Sequence, residues 1–172
     1  MKKPLEAVKA WTEAHNSHNL SRLNDLYGEN ITFELAGMME AEGKQGAREV
    51  AEFDRATKSQ RTLNELRLEG DTVYCDLTEK NEWLRTAGIR EAHYSGAFTV
   101  REGQIEAIRF EPKPETKQAT EEALSSFTQW ASEEKPEHLA EIMPEGKITY
   151  DAKSAKKWLP LMQEWRNTTK TT

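Results

Sequence analysis

Four residues in the middle of the chain are of the types that acid–base chemistry needs: Glu79, Asn81, Arg90 and Tyr94. A carboxylate beside a guanidinium is kept ionised, because the opposite charge lowers its pKa. It can then accept a proton or orient a water, while a tyrosine hydroxyl holds a substrate oxygen. Strand parity brings the four together. Val73, Cys75 and Leu77 alternate with Tyr74, Asp76 and Thr78, and the stretch from Ala92 to Arg101 alternates in the same way. A period of two sends successive side chains to opposite faces of a sheet. Continuing the face of Val73, Cys75 and Leu77 reaches Glu79, Asn81 and Trp83. Running the face of Tyr94, Gly96 and Phe98 backwards reaches Arg90. Glu79, Arg90 and Tyr94 are therefore the catalytic candidates, with Asn81 and Trp83 beside them. The competing reading is a cross-strand ion pair at a solvated hairpin tip, worth about 0.2–1 kcal/mol.

Other chemistry is thinner. His15 and His18 stand three apart at the end of a helical stretch, a spacing that could grip a metal. A histidine near a helix C-terminus is explained as well by the helix dipole, and no third ligand is evident. No metal is expected, and His15 is placed in the pocket lining. The chain has no phosphate-binding lysine loop, no dinucleotide glycine fingerprint, no paired CxxC and no HExxH, so nothing calls for a cofactor.

The elements that must position these residues read as α+β. Leu5, Val8, Trp11 and Ala14–His15 recur at helical spacing after Pro4, and Leu20, Leu23 and Leu26 form a short second helix stopped by Gly28. Ile31, Phe33 and Leu35 alternate as a strand, and Ala47, Val50 and Phe53 mark a third helix. Antiparallel hairpins follow from near Arg61 to Phe110, reversed at Glu69-Gly70-Asp71 and Glu102-Gly103-Gln104. The outer sheet face (Tyr74, Asp76, Thr78, His93, Ser95, Ala97, Thr99) is small and polar.

The run His15-Asn16-Ser17-His18-Asn19-Leu20 through Leu26-Tyr27 to Ile31-Thr32-Phe33-Glu34, in that element order, resembles the opening of the nuclear transport factor 2-like superfamily. The resemblance covers roughly residues 4 to 111. It implies a curved antiparallel sheet wrapped around three N-terminal helices to form a conical pocket. Trp11, His15, Leu35, Met38, Phe53, Asn81, Trp83, Phe98 and Phe110 would line it. It also implies dimers through the outer sheet face. Set against the ketosteroid isomerases of that superfamily, Leu35 falls where the catalytic aspartate stands, Trp11 at the oxyanion tyrosine and Gly96 at the second acid. None of the three can move a proton, so isomerase chemistry of that kind is excluded. An acid–arginine pair is similar to the limonene epoxide hydrolases, but those set two aspartates around the arginine, and only one acid is assignable here.

Past Pro112 and Pro114 the pattern turns helical again and repeats the opening. Ala7, Val8, Trp11 and Thr12 correspond to Ala123, Leu124, Phe127 and Thr128, and Ile31-Thr32-Phe33-Glu34 to Ile148-Thr149-Tyr150-Asp151. Two units are expected: residues 1–112, the pocket domain, and 113–172, a helical extension resembling a truncated second copy of its N-terminal half. Phe127, Trp130, Trp158, Leu161, Met162 and Trp165 give that extension an apolar load worth roughly 1.5–3 kcal/mol per buried side chain. It must dock, and the outer sheet face is the expected place.

A formal net charge of −6 with 31% charged residues of mixed sign argues against a nucleic-acid surface. A single cysteine, no signal-like apolar run after Met1-Lys2-Lys3 and no span of membrane length point to a cytoplasmic protein. The expected function is a domain binding a small, mainly apolar molecule. The alternatives are a hydrolase, dehydratase or isomerase on such a molecule, and a dimerisation or interaction module.

Overall fold

The computed structural model describes residues 1–169. Helix α1 (Pro4–Asn16) starts on the proline and turns Ala7, Val8, Trp11, Ala14 and His15 inward. The short α2 (Leu20–Leu26) is capped by the Asn19 side chain, which accepts from the Arg22 N–H at 3.0 Å. Strand β1 (Tyr27–Leu35) and the four-residue β2 (Met39–Glu42) form a hairpin, and α3 (Gly43–Ala56) follows. Ala47, Val50, Ala51 and Asp54 fall on one stripe of α3, so an acid lies on its buried face.

Strands β3 (Gln60–Glu69), β4 (Thr72–Lys80), β5 (Ala92–Arg101) and β6 (Gln104–Pro112) complete a six-stranded sheet in the order β2-β1-β6-β5-β4-β3. Only the β1–β6 pair is parallel; β2, α3, β3, β4 and β5 lie between them in the chain. The sheet curls around α1 and α3 with Trp11, Phe98 and Phe110 at the closed end of the cone. Gly96 has to be small: a Cβ there would stand 2.9 Å from Cys75 Sγ and 3.4 Å from the Phe110 ring. This is the α+β architecture expected from the hydrophobic pattern.

Two local departures matter for the site. In β3, Arg67–Glu69 pair with Thr72–Tyr74, whereas Gln60–Asn64 pair with Asp76–Lys80 one residue out of step. The extra residue is a bulge at Glu65–Leu66, with Glu65 at φ +53°. It sets Arg61 directly opposite Glu79, so both point into the cone. At the other end, β4 stops at Lys80. Asn81 accepts from the Leu84 N–H at 2.7 Å and starts α4 (Glu82–Thr86), so the expected strand through Trp83 is a helical turn instead.

The chain then runs through α5 (Pro114–Glu134), α6 (Pro136–Ile142), a 3₁₀ turn (Pro144–Gly146), an extended stretch at 147–150 and α7 (Ala152–Thr169). The order here is long helix, seven-residue helix, 3₁₀ turn, a stretch in no strand, and helix. These helices bury Phe127, Trp158, Met162 and Trp165 against one another and against α3 and α4, with Trp158 edge-on to Trp83 at 6.0 Å. The expectation that they cover the outer sheet face is corrected. They close the mouth of the cone, because α4 offers Trp83, Leu84 and Ala87 as an apolar partner while the outer face is polar.

Candidate functional site

Beneath the extension lies a cavity of about 50 Å³. Leu35, Met38, Phe53, Trp83 and Phe110 supply apolar walls, with Val50, Leu84 and Ile148. Asp54, Arg61, Glu79, Asn81, Tyr94 and Tyr150 supply a polar end. Arg61 is its centre. Its backbone is pinned by Asn16 at the end of α1, whose amide donates to the Arg61 carbonyl and accepts from its N–H, each at 2.8 Å. Its guanidinium lies 5.2 Å above the Phe110 ring. Nε and Nη2 donate to Glu79 Oε1 at 3.3 and 3.2 Å, and Nη1 donates to Asp54 Oδ2 at 3.1 Å. Two acids from two different elements thus flank one arginine.

Glu79 is saturated. Besides the two bonds from Arg61, its Oε2 accepts from Ser59 Oγ at 2.9 Å and from Asn81 Nδ2 at 2.8 Å. Since Ser59 gives its proton to Glu79, it can only accept from His15 Nε2, 3.1 Å away. That places the His15 proton on Nε2 and leaves Nδ1 to accept from Arg61 Nη1 at 3.2 Å. Burial, reinforced by the Arg61 charge, holds the His15 pKa well below its ordinary value, so the ring is neutral and serves as a strut.

Asp54 differs. Only its Oδ2 is hydrogen-bonded, leaving Oδ1 free. Burial pushes its carboxyl up to about 6; Arg61 opposes that rise and the charge of Glu79 adds to it. A carboxyl titrating there can give or take a proton near neutral pH. Burial works against the charge on Arg61, but Asp54 and Glu79 together overcome this and hold it protonated.

The residues proposed from sequence separate into three groups. Glu79, Asn81, Tyr94, Leu35, Met38, Phe53, Trp83 and Phe110 all line the cavity. Trp11, His15 and Phe98 stand behind it. Trp11 is stacked on His15 at 5.2 Å, edge-on to Phe98 at 5.0 Å, and gives its indole N–H to Tyr27 Oη at 2.9 Å. Arg90 is a correction: it is exposed on the turn between α4 and β5, because β5 begins only at Ala92 and the alternation of Tyr94, Gly96 and Phe98 does not reach back to it. Arg61 takes the place assigned to it beside Glu79. His15 spends its ring nitrogens on Ser59 and Arg61, its ring stands edge-on to that of His18 at 6.1 Å, and no cluster of three metal-binding side chains occurs among the described residues.

Asp54, Ser59, Arg61 and Tyr150 escaped the sequence reading. Asp54 left a signal, an acid seven residues after Ala47 and four after Val50 on an apolar stripe. Arg61 left none, because its inward direction depends on the bulge.

No protein-family model matches the chain, nor does any curated protein. Solved structures do match in fold. An NTF2-like protein of unknown function from Cytophaga hutchinsonii is 17% identical with a TM-score of 0.56, covering 67% of this chain and 94% of its own. The epoxide hydrolase/cyclase-like enzyme SalBIII, of pyran-ring formation in the polyether salinomycin, is 19% identical with a TM-score of 0.59, covering 66% and 92%. An epoxide hydrolase of Mycobacterium tuberculosis similar to the limonene epoxide hydrolases is 14% identical with a TM-score of 0.57, covering 73% and 94%. With the curved sheet, the three opening helices and the closed cone on this side of the comparison, the chain has the nuclear transport factor 2-like fold.

Proposed function

We propose that the chain binds a small, mainly apolar molecule in the cavity beneath its C-terminal helices and transfers a proton to it, in the manner of an epoxide hydrolase or cyclase. The observation that carries this is the set Asp54–Arg61–Glu79 at the polar end of an otherwise apolar cavity. Two acids around an arginine is the arrangement that limonene epoxide hydrolases use, and the second acid, Asp54, comes here from α3. Asp54, protonated below about pH 6, gives its proton to the epoxide oxygen as the carbon–oxygen bond breaks. A water that replaces one of the four donors on Glu79 attacks the ring carbon and passes its proton to that carboxylate. The product is a diol, and solvent exchange resets the two acids. Arg61, Ser59 and His15 hold Glu79 in place throughout.

The full set of donors on Glu79 favours a second reading, binding without turnover, in which the network serves as a rigid floor. Incubating the protein with a panel of small epoxides and measuring diol formation separates the two. The enzyme reading expects turnover that falls at least 100-fold in Asp54→Asn and in Glu79→Gln, with both proteins folded. Saturable ligand-induced stabilisation without any diol would leave the binding reading alone.

A further inference from the structure

The cavity shares a wall with a much larger open groove of about 820 Å³. Met38, Met39 and Val50 face both spaces from one side, and Ile148 and Tyr150 face both from the other. At about 50 Å³ the cavity has room for little more than a water or two, so an organic ligand has to displace part of that wall. The weak part is the extended stretch at 148–150. It belongs to no strand, and no backbone N–H or carbonyl of Ile148, Thr149 or Tyr150 pairs with another backbone group among the described residues. Its ties are Thr149 Oγ1, donating to the Ile142 carbonyl at 3.3 Å, and the Tyr150 ring, packed 4.8 Å from Phe53. Moving it outward breaks no sheet ladder.

The polar end of the cavity also has unused capacity. Arg61 spends its donors on Glu79, Asp54 and His15. The hydroxyls of Tyr94, which is 5% exposed, and of Tyr150 have no hydrogen-bond partner among the described residues. Neither hydroxyl is sealed off by protein atoms, and both residues line the cavity, so each can donate to a ligand oxygen there. Two O–H donors suit one oxygen with two lone pairs. Charged ligands fit poorly. An anion would meet Asp54 and Glu79, and a cation would meet Arg61.

We propose that Tyr150, carried by the C-terminal extension, completes the binding site. With Tyr94 it holds the single acceptor oxygen of a neutral, mainly apolar ligand (a ketone, ether or epoxide), which reaches the cavity from the groove when residues 148–150 swing out. This rests on reading the cavity as a ligand site. The extension is then part of the site, since the pocket domain alone supplies only one of the two hydroxyls.

The test compares two ligands of one shape, cyclohexanone and methylenecyclohexane, the second lacking an acceptor oxygen. Each is titrated into the full-length protein and its Tyr94→Phe and Tyr150→Phe variants, with binding followed by ligand-observed NMR. Both variants are expected to keep the wild-type melting temperature, because neither hydroxyl bonds to the protein. Each is expected to lose about 2- to 12-fold in affinity for cyclohexanone, the worth of one neutral hydrogen bond. Affinity for methylenecyclohexane is expected to stay the same. Cyclohexanone binding that is unchanged in either variant, or a fall of both ligands together, overturns the tyrosine pair and leaves the pocket standing. Binding of neither ligand to the wild-type protein overturns the pocket reading as well.

Discussion

Replacing Asp54 with asparagine should make the protein more stable at neutral pH while removing its proton-transfer group. The ordinary value of the Asp54 carboxyl is 3.8, and burial raises it to about 6 in the folded protein. An acid with a raised folded-state pKa stabilises the fold fully only below its unfolded value, and that contribution is lost as pH rises through the folded value. Between pH 4 and pH 6 the folded chain holds a proton that the unfolded chain has released, so stability falls across this window. At about 1.4 kcal/mol per pH unit, the ionised Asp54 costs the fold about 3 kcal/mol at pH 7. Asparagine has the shape and neutrality of the protonated acid. Asp54→Asn should therefore gain up to about 3 kcal/mol at pH 7 and little or nothing at pH 4. For a chain of this length that is a rise of about 5–10 °C in Tm at pH 7. Urea and thermal unfolding of both proteins at pH 4, 5, 6 and 7, followed by circular dichroism, measures the difference. A variant less stable than wild type by 2 kcal/mol or more at pH 7 would refute the reasoning. Asp54 would then be an ion-pair anchor for Arg61, and the strain of a functional site would be absent.

Four further outcomes are expected. Trp11→Ala should lose about 3–5 kcal/mol in urea unfolding, since the ring is only 1% exposed, stacked on His15 and edge-on to Phe98. Gly96→Ala should lose about 1–3 kcal/mol, and most of that should return in the double variant with Cys75→Ala, because the new Cβ meets Cys75 Sγ at 2.9 Å. Burial pushes the Cys75 thiol up to about 11, so iodoacetamide at pH 8 should label it only as fast as the protein unfolds. Ending the chain after Pro114 should uncover Trp83 and Leu84 and produce aggregation or a change in particle mass by light scattering.

Regular alternation was readable from residues alone wherever the backbone obeyed it. Val73, Cys75, Leu77 and Glu79 share a face without interruption, and Tyr94, Gly96 and Phe98 do the same, so counting in twos places Glu79 and Tyr94 on the inner face of the cone. Counting failed where one residue was inserted or a helix intervened. The bulge at Glu65 reverses the parity of β3 and aims Arg61 inward. Asn81 ends β4 by capping α4, and β5 resumes only at Ala92, which leaves Arg90 outside. Both are single-residue decisions of the backbone, and neither glycine nor proline marks them. The extension posed a different problem. Its apolar faces showed that it must dock, but the choice between the outer sheet and the cone mouth depended on α4, an element the hydrophobic pattern had read as strand. Asp54 was the legible omission, an acid on the buried stripe of α3.

The most direct test follows the Asp54 carboxyl itself by carbon-13 NMR as pH is changed, with the protein free and then saturated with cyclohexanone. The expected midpoint of the free protein is near pH 6, set by burial beside Arg61 and Glu79. Filling the cavity should displace its water and move that midpoint upward, because the charged form loses solvation. A midpoint near 4 that does not respond to the ligand would contradict the account, since Asp54 would then be neither shielded from water nor in contact with a binding site.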